Sequence, residues 1–171
     1  MQRTLNLKIK YRESFRPFAP SVLADDVRKW FDLESVSPYM LLVSQIAHKH
    51  RLSISEAEEQ LFGIAKLNIV RSVIPAVTHV DHSARIQTVH KETNPIFFDL
   101  ITEFKLLTGC PIVINTSFNV RGEPIVCTPT DAFNCFMGTE MDALVIGNHV
   151  LSKSDQSDSL ITDYKDRFRL D

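Results

Sequence analysis

Three short segments hold side chains that a buried core does not ask for. The first is Lys10-Tyr11-Arg12-Glu13-Ser14-Phe15-Arg16, with three cations in seven residues. Arginine grips phosphate oxygens through a planar fork and lysine through a movable point charge, so such a cluster suits a polyanion. The competing reading is a solvated basic face on a terminal helix. The second is Arg85 within Ala84-Arg85-Ile86-Gln87-Thr88-Val89. A cation in an alternating strand faces either water or a lined cavity, and water is the commoner outcome. The third is Asn115-Thr116-Ser117-Phe118-Asn119-Val120-Arg121-Gly122-Glu123-Pro124, directly after Pro111-Ile112-Val113-Ile114. Small hydrogen-bonding side chains at the carboxyl end of an apolar strand occupy the usual ligand position of an α/β sheet. Asn115, Ser117 and nearby backbone N–H groups suit a carbonyl or phosphate, and Arg121 adds charge. A plain loop closed by Gly122 and Pro124 is the alternative. His48-Lys49-His50 lacks further ligands around its alternate imidazoles, and we do not read it as a metal site.

These segments need elements to hold them. Leu5 to Arg12 reads as a short basic helix or helical turn. Pro17 and Pro20 force an extended entry into a strand ending near Val22-Leu23. Asp25 to Phe31 reads as a short helix and Tyr39 to Ile46 as a buried strand. His48 to Lys66 is a polar surface excursion, with Ser53/Glu56 and Ser55/Glu58 as two capping boxes for a helix through Leu61-Phe62. Ala76 to Val80 and Ala84 to Val89 read as strands around the turn Asp81-His82-Ser83. Asn94-Pro95 opens a helix whose apolar spacing runs to Leu107, and Gly109 closes it. Pro111 to Ile114 is an apolar strand, Thr128-Pro129-Thr130-Asp131 starts a second capped helix to about Met137, and Ala143 to Ile146 is a further buried strand. Alternating strands and capped helices predict an α/β sheet covered by helices.

The chain has 171 residues, 44% hydrophobic and 23% charged, which suits an ordinary globular domain. We expect one domain over residues 1–152 and a charged, loosely docked tail over 153–171. No apolar run approaches the roughly 20 residues of a membrane span, and the first ten residues lack a secretory pattern. Three cysteines without a Cys-x-x-Cys point to reduced thiols packed as small hydrophobes, and to the cytoplasm. Net charge is -2, yet residues 1–16 carry five basic side chains against one acidic, a local +4. A basic segment on an acidic body suits an anion site better than a duplex-binding surface.

The sequence resembles a family along most of its length. Lys10 through Val22, Ser83 through Val89, and Thr108-Gly109-Cys110-Pro111-Ile112-Val113-Ile114-Asn115-Thr116-Ser117-Phe118-Asn119 through Cys127-Thr128-Pro129 are similar to the C-terminal domain of the carbamoyltransferases of nodulation-factor and antibiotic biosynthesis. The likeness runs in order from about residue 5 to residue 152. It implies a YrdC-like fold, a twisted open mixed sheet covered by helices around a concave basic cavity. It also implies that carbamoyl phosphate and ATP, with Mg²⁺, are converted there into carbamoyl-adenylate. By the resemblance, the cavity cations fall on Lys10, Arg12 and Arg16 with Arg85 opposite. Asn115 and Ser117 then hold the carbamoyl group or a nearby phosphate, and Arg121 adds a further contact. The implied partner is an actin-like N-terminal transferase domain, in cis or in trans, that completes transfer to an acceptor hydroxyl.

Two departures stand out. The family's larger N-terminal domain and its Gly-Pro-Arg-Ala-Leu-Gly block are absent from these residues, as in an excised piece or a separately encoded remnant. The stretch from His48 to Lys66 is longer than the family pattern, and Asp81-His82-Ser83 stands where Asp-Gly-Thr is usual. A rival reading is a non-catalytic module that binds nucleotide or RNA or serves in docking. RNA is the weaker partner, since the body around the basic segment is acidic.

Overall fold

The computed structural model describes residues 1–164, 167 and 168. In chain order the elements are α1 (Gln2–Lys8), β1 (Ala19–Leu23), α2 (Val27–Trp30), β2 (Leu42–Gln45), α3 (Glu56–Glu59) and α4 (Ile64–Leu67). Then follow β3 (Ser83–Val89), α5 (Pro95–Thr108), β4 (Ile112–Asn115), α6 (Pro129–Met137), β5 (Ala143–Ile146) and β6 (His149–Ser152). The chain divides into two compact units: one holds residues 1, 3–16 and 117–171, the other residues 2 and 17–116.

The second unit carries a four-stranded mixed sheet, ordered β2-β3-β1-β4. β1 runs parallel to β3 and antiparallel to β4, and β2 is antiparallel to β3. The α/β expectation holds in this mixed form. Alternation along the strands splits the side chains between two faces. Val22, Ala84, Ile86 and Ile112 pack on one face with Val27, Phe31, Leu33 and Ile46. Leu23, Val89 and Val113 lie on the other, under Phe97, Phe98 and Ile101 of α5. Asp26, only 3% exposed, fastens this helix by a 2.6 Å bond from Lys105. Both termini of α5 use the expected caps: Asn94 accepts from the Phe97 N–H, and Gly109 takes a left-handed φ of 76°.

Several expected elements differ. The strand predicted over Tyr39–Ile46 shortens to β2, and as an edge strand it leaves Leu42 and Val43 exposed. Ala76 to Val80 forms no strand, because Pro75 lacks an N–H for a ladder and Pro75–Val77 curls into a 3-10 turn. The Ser55/Glu58 capping box is present, but its helix ends at Glu59 and leaves Phe62 exposed. His82 sits in the turn at φ 63°, the left-handed region where a glycine would be at ease.

In the first unit, α6 starts at the expected Thr128/Asp131 capping box. Its Ala132, Phe136 and Met137 pack with Leu144. β5 is not a strand of the main sheet. It pairs with β6, which the sequence reading did not anticipate, in a hairpin turned at Gly147 with φ 56°, and of β5 only Leu144 is buried. Within the stretch expected as tail, Tyr164 is buried and bonds Glu123. Gly138 permits this approach, as a Cβ there would lie 2.3 Å from Tyr164. The part of the expected tail at residues 165, 166 and 169–171 lies outside the described residues.

The cysteines are free but not equally packed: Cys135 is buried, Cys110 half-buried and Cys127 exposed. Burial, with Glu123 next, pushes the Cys135 thiol up to about 12, and burial also raises Cys110. Since the thiolate is the reactive form, an alkylating reagent should label Cys127 first, Cys110 slowly and Cys135 only on unfolding. Peptide mass spectrometry over time checks the order, and early labelling of Cys135 would contradict the packing. Among the described residues no helix is long and apolar enough to cross a membrane.

Candidate functional site

The basic segment of the first unit is a loop shaped by one buried amide. The helix expected to reach Arg12 stops at Lys8, and Tyr11 turns the chain at φ 48°. Asn6, fully buried on α1, donates to the carbonyls of Ser14 (3.1 Å) and Arg16 (2.8 Å) and accepts from Arg12 Nε at 2.7 Å. These bonds satisfy the loop's backbone in place of further helical ones. Sequence reasoning passed over Asn6; its signal was a polar residue between Leu5 and Leu7.

Lys10 is 4% exposed, and its ammonium is held by the loop that follows β4. It donates to Ser117 O (2.8 Å), Ser117 Oγ (3.3 Å), Asn119 O (2.6 Å) and Asn119 Oδ1 (2.6 Å). Ser117 Oγ in turn donates to Asn119 Oδ1 at 2.6 Å, and Asn119 Nδ2 to Glu123 O at 2.7 Å. Arg121 N donates to Lys10 O at 3.1 Å, so the two basic loops are joined by backbone as well. Asn119 belongs with the site although only its neighbour Ser117 was singled out in the sequence.

The remaining cations lie near Glu13. Its carboxylate takes Arg16 Nε and Arg121 Nη1, each at 3.5 Å. Burial lowers Lys10 to about 8, and the Arg12 charge adds to that. Arg12 is itself lowered, first by burial and then by Arg16. Lys10, Arg12, Arg16, Ser117 and Arg121 are thus brought together, with like charges close enough to oppose one another.

Asn115 and Arg85 belong to the second unit. Asn115 is the last residue of β4 and not part of the loop after it, so it stands in the sheet. Its Nδ2 donates to Gln87 Oε1 at 2.6 Å and to Ser21 Oγ at 3.0 Å, while Ser21 Oγ donates to Gln87 Oε1 at 2.6 Å. Arg85, two residues before Gln87 on β3, shares this face and is exposed. Ser21 and Gln87 were not anticipated as site residues. For Ser21 the available signal was a polar residue within the apolar run Ala19-Pro20-Ser21-Val22-Leu23.

The chain is similar to known proteins over most of its length. The family model described as carbamoyltransferase C-terminus matches residues 1–153. An uncharacterized protein of Synechocystis is 63% identical over 156 residues, covering 91% of this chain and 25% of that protein. Nodulation protein NolO of Bradyrhizobium diazoefficiens is 39% identical, with 87% and 24% covered. The 3'-hydroxymethylcephem-O-carbamoyltransferase of Amycolatopsis lactamdurans is 30% identical, with 82% and 23% covered. The chain therefore spans about a quarter of the length of these curated relatives.

Proposed function

The chain belongs to the carbamoyltransferase C-terminus family, and from that membership we propose that it activates a carbamoyl group by forming carbamoyl-adenylate from carbamoyl phosphate and ATP. Water first cleaves the carbamoyl–phosphate bond, giving carbamate and phosphate. A carbamate oxygen then bonds to the α-phosphorus of ATP as the bond to the β-phosphate breaks, and pyrophosphate leaves. The step needs no protein nucleophile, only alignment and neutralised charge. A YrdC-like fold with a basic concavity, in the cytoplasm where both substrates occur, is part of the same reading.

The observation that carries it is the crowding of Lys10, Arg12 and Arg16: burial first, then the neighbouring cation, depresses Lys10 and Arg12, with Glu13 as the nearby carboxylate. A polyphosphate would relieve that repulsion. For the first unit we assign phosphate contacts to Arg12, Arg16 and Arg121, with Lys10 shaping the Ser117–Asn119 loop that faces the ligand. For the second unit we assign carbamoyl phosphate to Arg85 and Asn115. We assign Mg²⁺ to the MgATP substrate, whose phosphates bind it.

Carbamoyl-phosphate-dependent exchange of labelled pyrophosphate into ATP tests the reaction, and no exchange by folded protein would refute it. Arg16→Ala and Arg85→Ala should each weaken substrate binding by roughly 1.5–3 kcal/mol, the scale of a charge-assisted hydrogen bond, with little change in thermal midpoint. Calorimetry with MgATP and with carbamoyl phosphate reads this, and a large fall in the midpoint instead would make the arginines structural.

A further inference from the structure

A directed chain of hydrogen bonds crosses one face of the second unit's sheet. Gln87 Nε2 donates to the backbone carbonyl of Pro38 at 3.1 Å. That bond fixes which way the amide lies, because turned over it would set two carbonyl oxygens against each other with no proton between them. Gln87 Oε1 is therefore directed to the other side, where it accepts from Ser21 Oγ and Asn115 Nδ2. Asn115 Nδ2 reaches Ser21 Oγ as well, so its donors are spent within the sheet. Asn115 Oδ1 lies on the opposite branch of that amide. Among the described residues the one buried side-chain polar atom without a partner is His82 Nδ1. Asn115 Oδ1 takes no hydrogen bond among the described residues and is not such a buried atom, so it is an acceptor reached by solvent, on the face that also bears exposed Arg85.

We infer that Asn115 recognises an N–H of the ligand, the amide end of a carbamoyl group, and that Gln87 and Ser21 are positioning residues that keep its acceptor outward. This rests on the proposed carbamoyl chemistry. It adds a reason for discrimination: acetyl phosphate places a methyl where carbamoyl phosphate places its NH₂, at nearly the same shape. A site built to accept from that N–H leaves its oxygen without a partner against the methyl. Were the Asn115 amide free to turn, it would present donors to a donor and the preference would fade.

Calorimetric titration of the 171-residue chain with carbamoyl phosphate, acetyl phosphate and inorganic phosphate tests this. Carbamoyl phosphate should bind about tenfold tighter than acetyl phosphate, the worth of one neutral hydrogen bond. In Gln87→Leu that ratio should fall toward one, with affinity for inorganic phosphate, which has no N–H, little altered. Asn115→Ala removes the acceptor directly and carries the test should Gln87→Leu not fold. Equal binding of carbamoyl and acetyl phosphate by the unaltered chain would overturn the inference while leaving an anion site in place. So would a preference that survives both Gln87→Leu and Asn115→Ala. Binding of none of the three compounds would remove the functional reading beneath it.

Discussion

Replacing Lys10 with methionine should destabilise the protein by about 2–4 kcal/mol, the scale of leaving one or two buried acceptors without a donor. The ammonium meets four oxygens from Ser117 and Asn119 and is 4% exposed. Methionine fills similar space but donates nothing. Unsatisfied buried acceptors cost roughly 1–3 kcal/mol each, and Asn119 Oδ1 would retain only its bond from Ser117 Oγ. Denaturant unfolding measures the loss, and hydrogen exchange at Arg121 N, which donates to Lys10 O, reads the loop itself. A variant as stable as the original would mean that Lys10 does not hold this loop.

The same residue leaves a signature in pH. Burial, with Arg12 second, lowers Lys10 from 10.5 to about 8, so the folded protein releases this proton before the unfolded chain does. Between those values the unfolded state binds more protons, and this group alone makes stability rise with pH. Lys10→Met should lack that rise, so the difference between the two stability curves should widen across the window. A difference that stays flat from pH 8 to 10.5 would show that Lys10 is not depressed.

The second large effect is in product. Given carbamoyl phosphate, MgATP and a panel of sugar and aminoglycoside acceptors, the 171-residue chain alone should form AMP and pyrophosphate but no carbamoylated acceptor. Carbamoyl-adenylate is a mixed anhydride, and a hydroxyl captures it ahead of water only when held in a near-attack position. The relatives matched here are about four times as long, and we propose that their additional chain supplies that position through an actin-like transferase domain. Adding that portion, fused or in trans, should switch transfer on, with the fused form ahead because linkage raises effective concentration. Mass spectrometry of the acceptors decides it. Efficient transfer by this chain alone would place the acceptor chemistry within it, and an absence of AMP would refute activation.

What could be read from the sequence was what neighbouring residues settle among themselves. The Asn94 cap and Gly109 stop bound α5 as expected, and the Thr128/Asp131 capping box starts α6, because caps are local bonds between a side chain and the next turn. The extended run into β1 followed from its prolines. Family membership was legible too, since the motifs that carry it are contiguous. Tertiary structure alone decided which strands meet and which polar atoms are spent. β2 takes a sheet edge and stays exposed, while β5 leaves the main sheet for a hairpin with β6, choices made by partners distant in sequence. Asn6 draws the basic segment out of its helix through carbonyls eight and ten residues away. Lys10 reads in sequence like its arginine neighbours, yet Ser117 and Asn119 surround it from more than a hundred residues on. A cation's residue type states that it can bind an anion; only the fold determines whether its hydrogens are already taken.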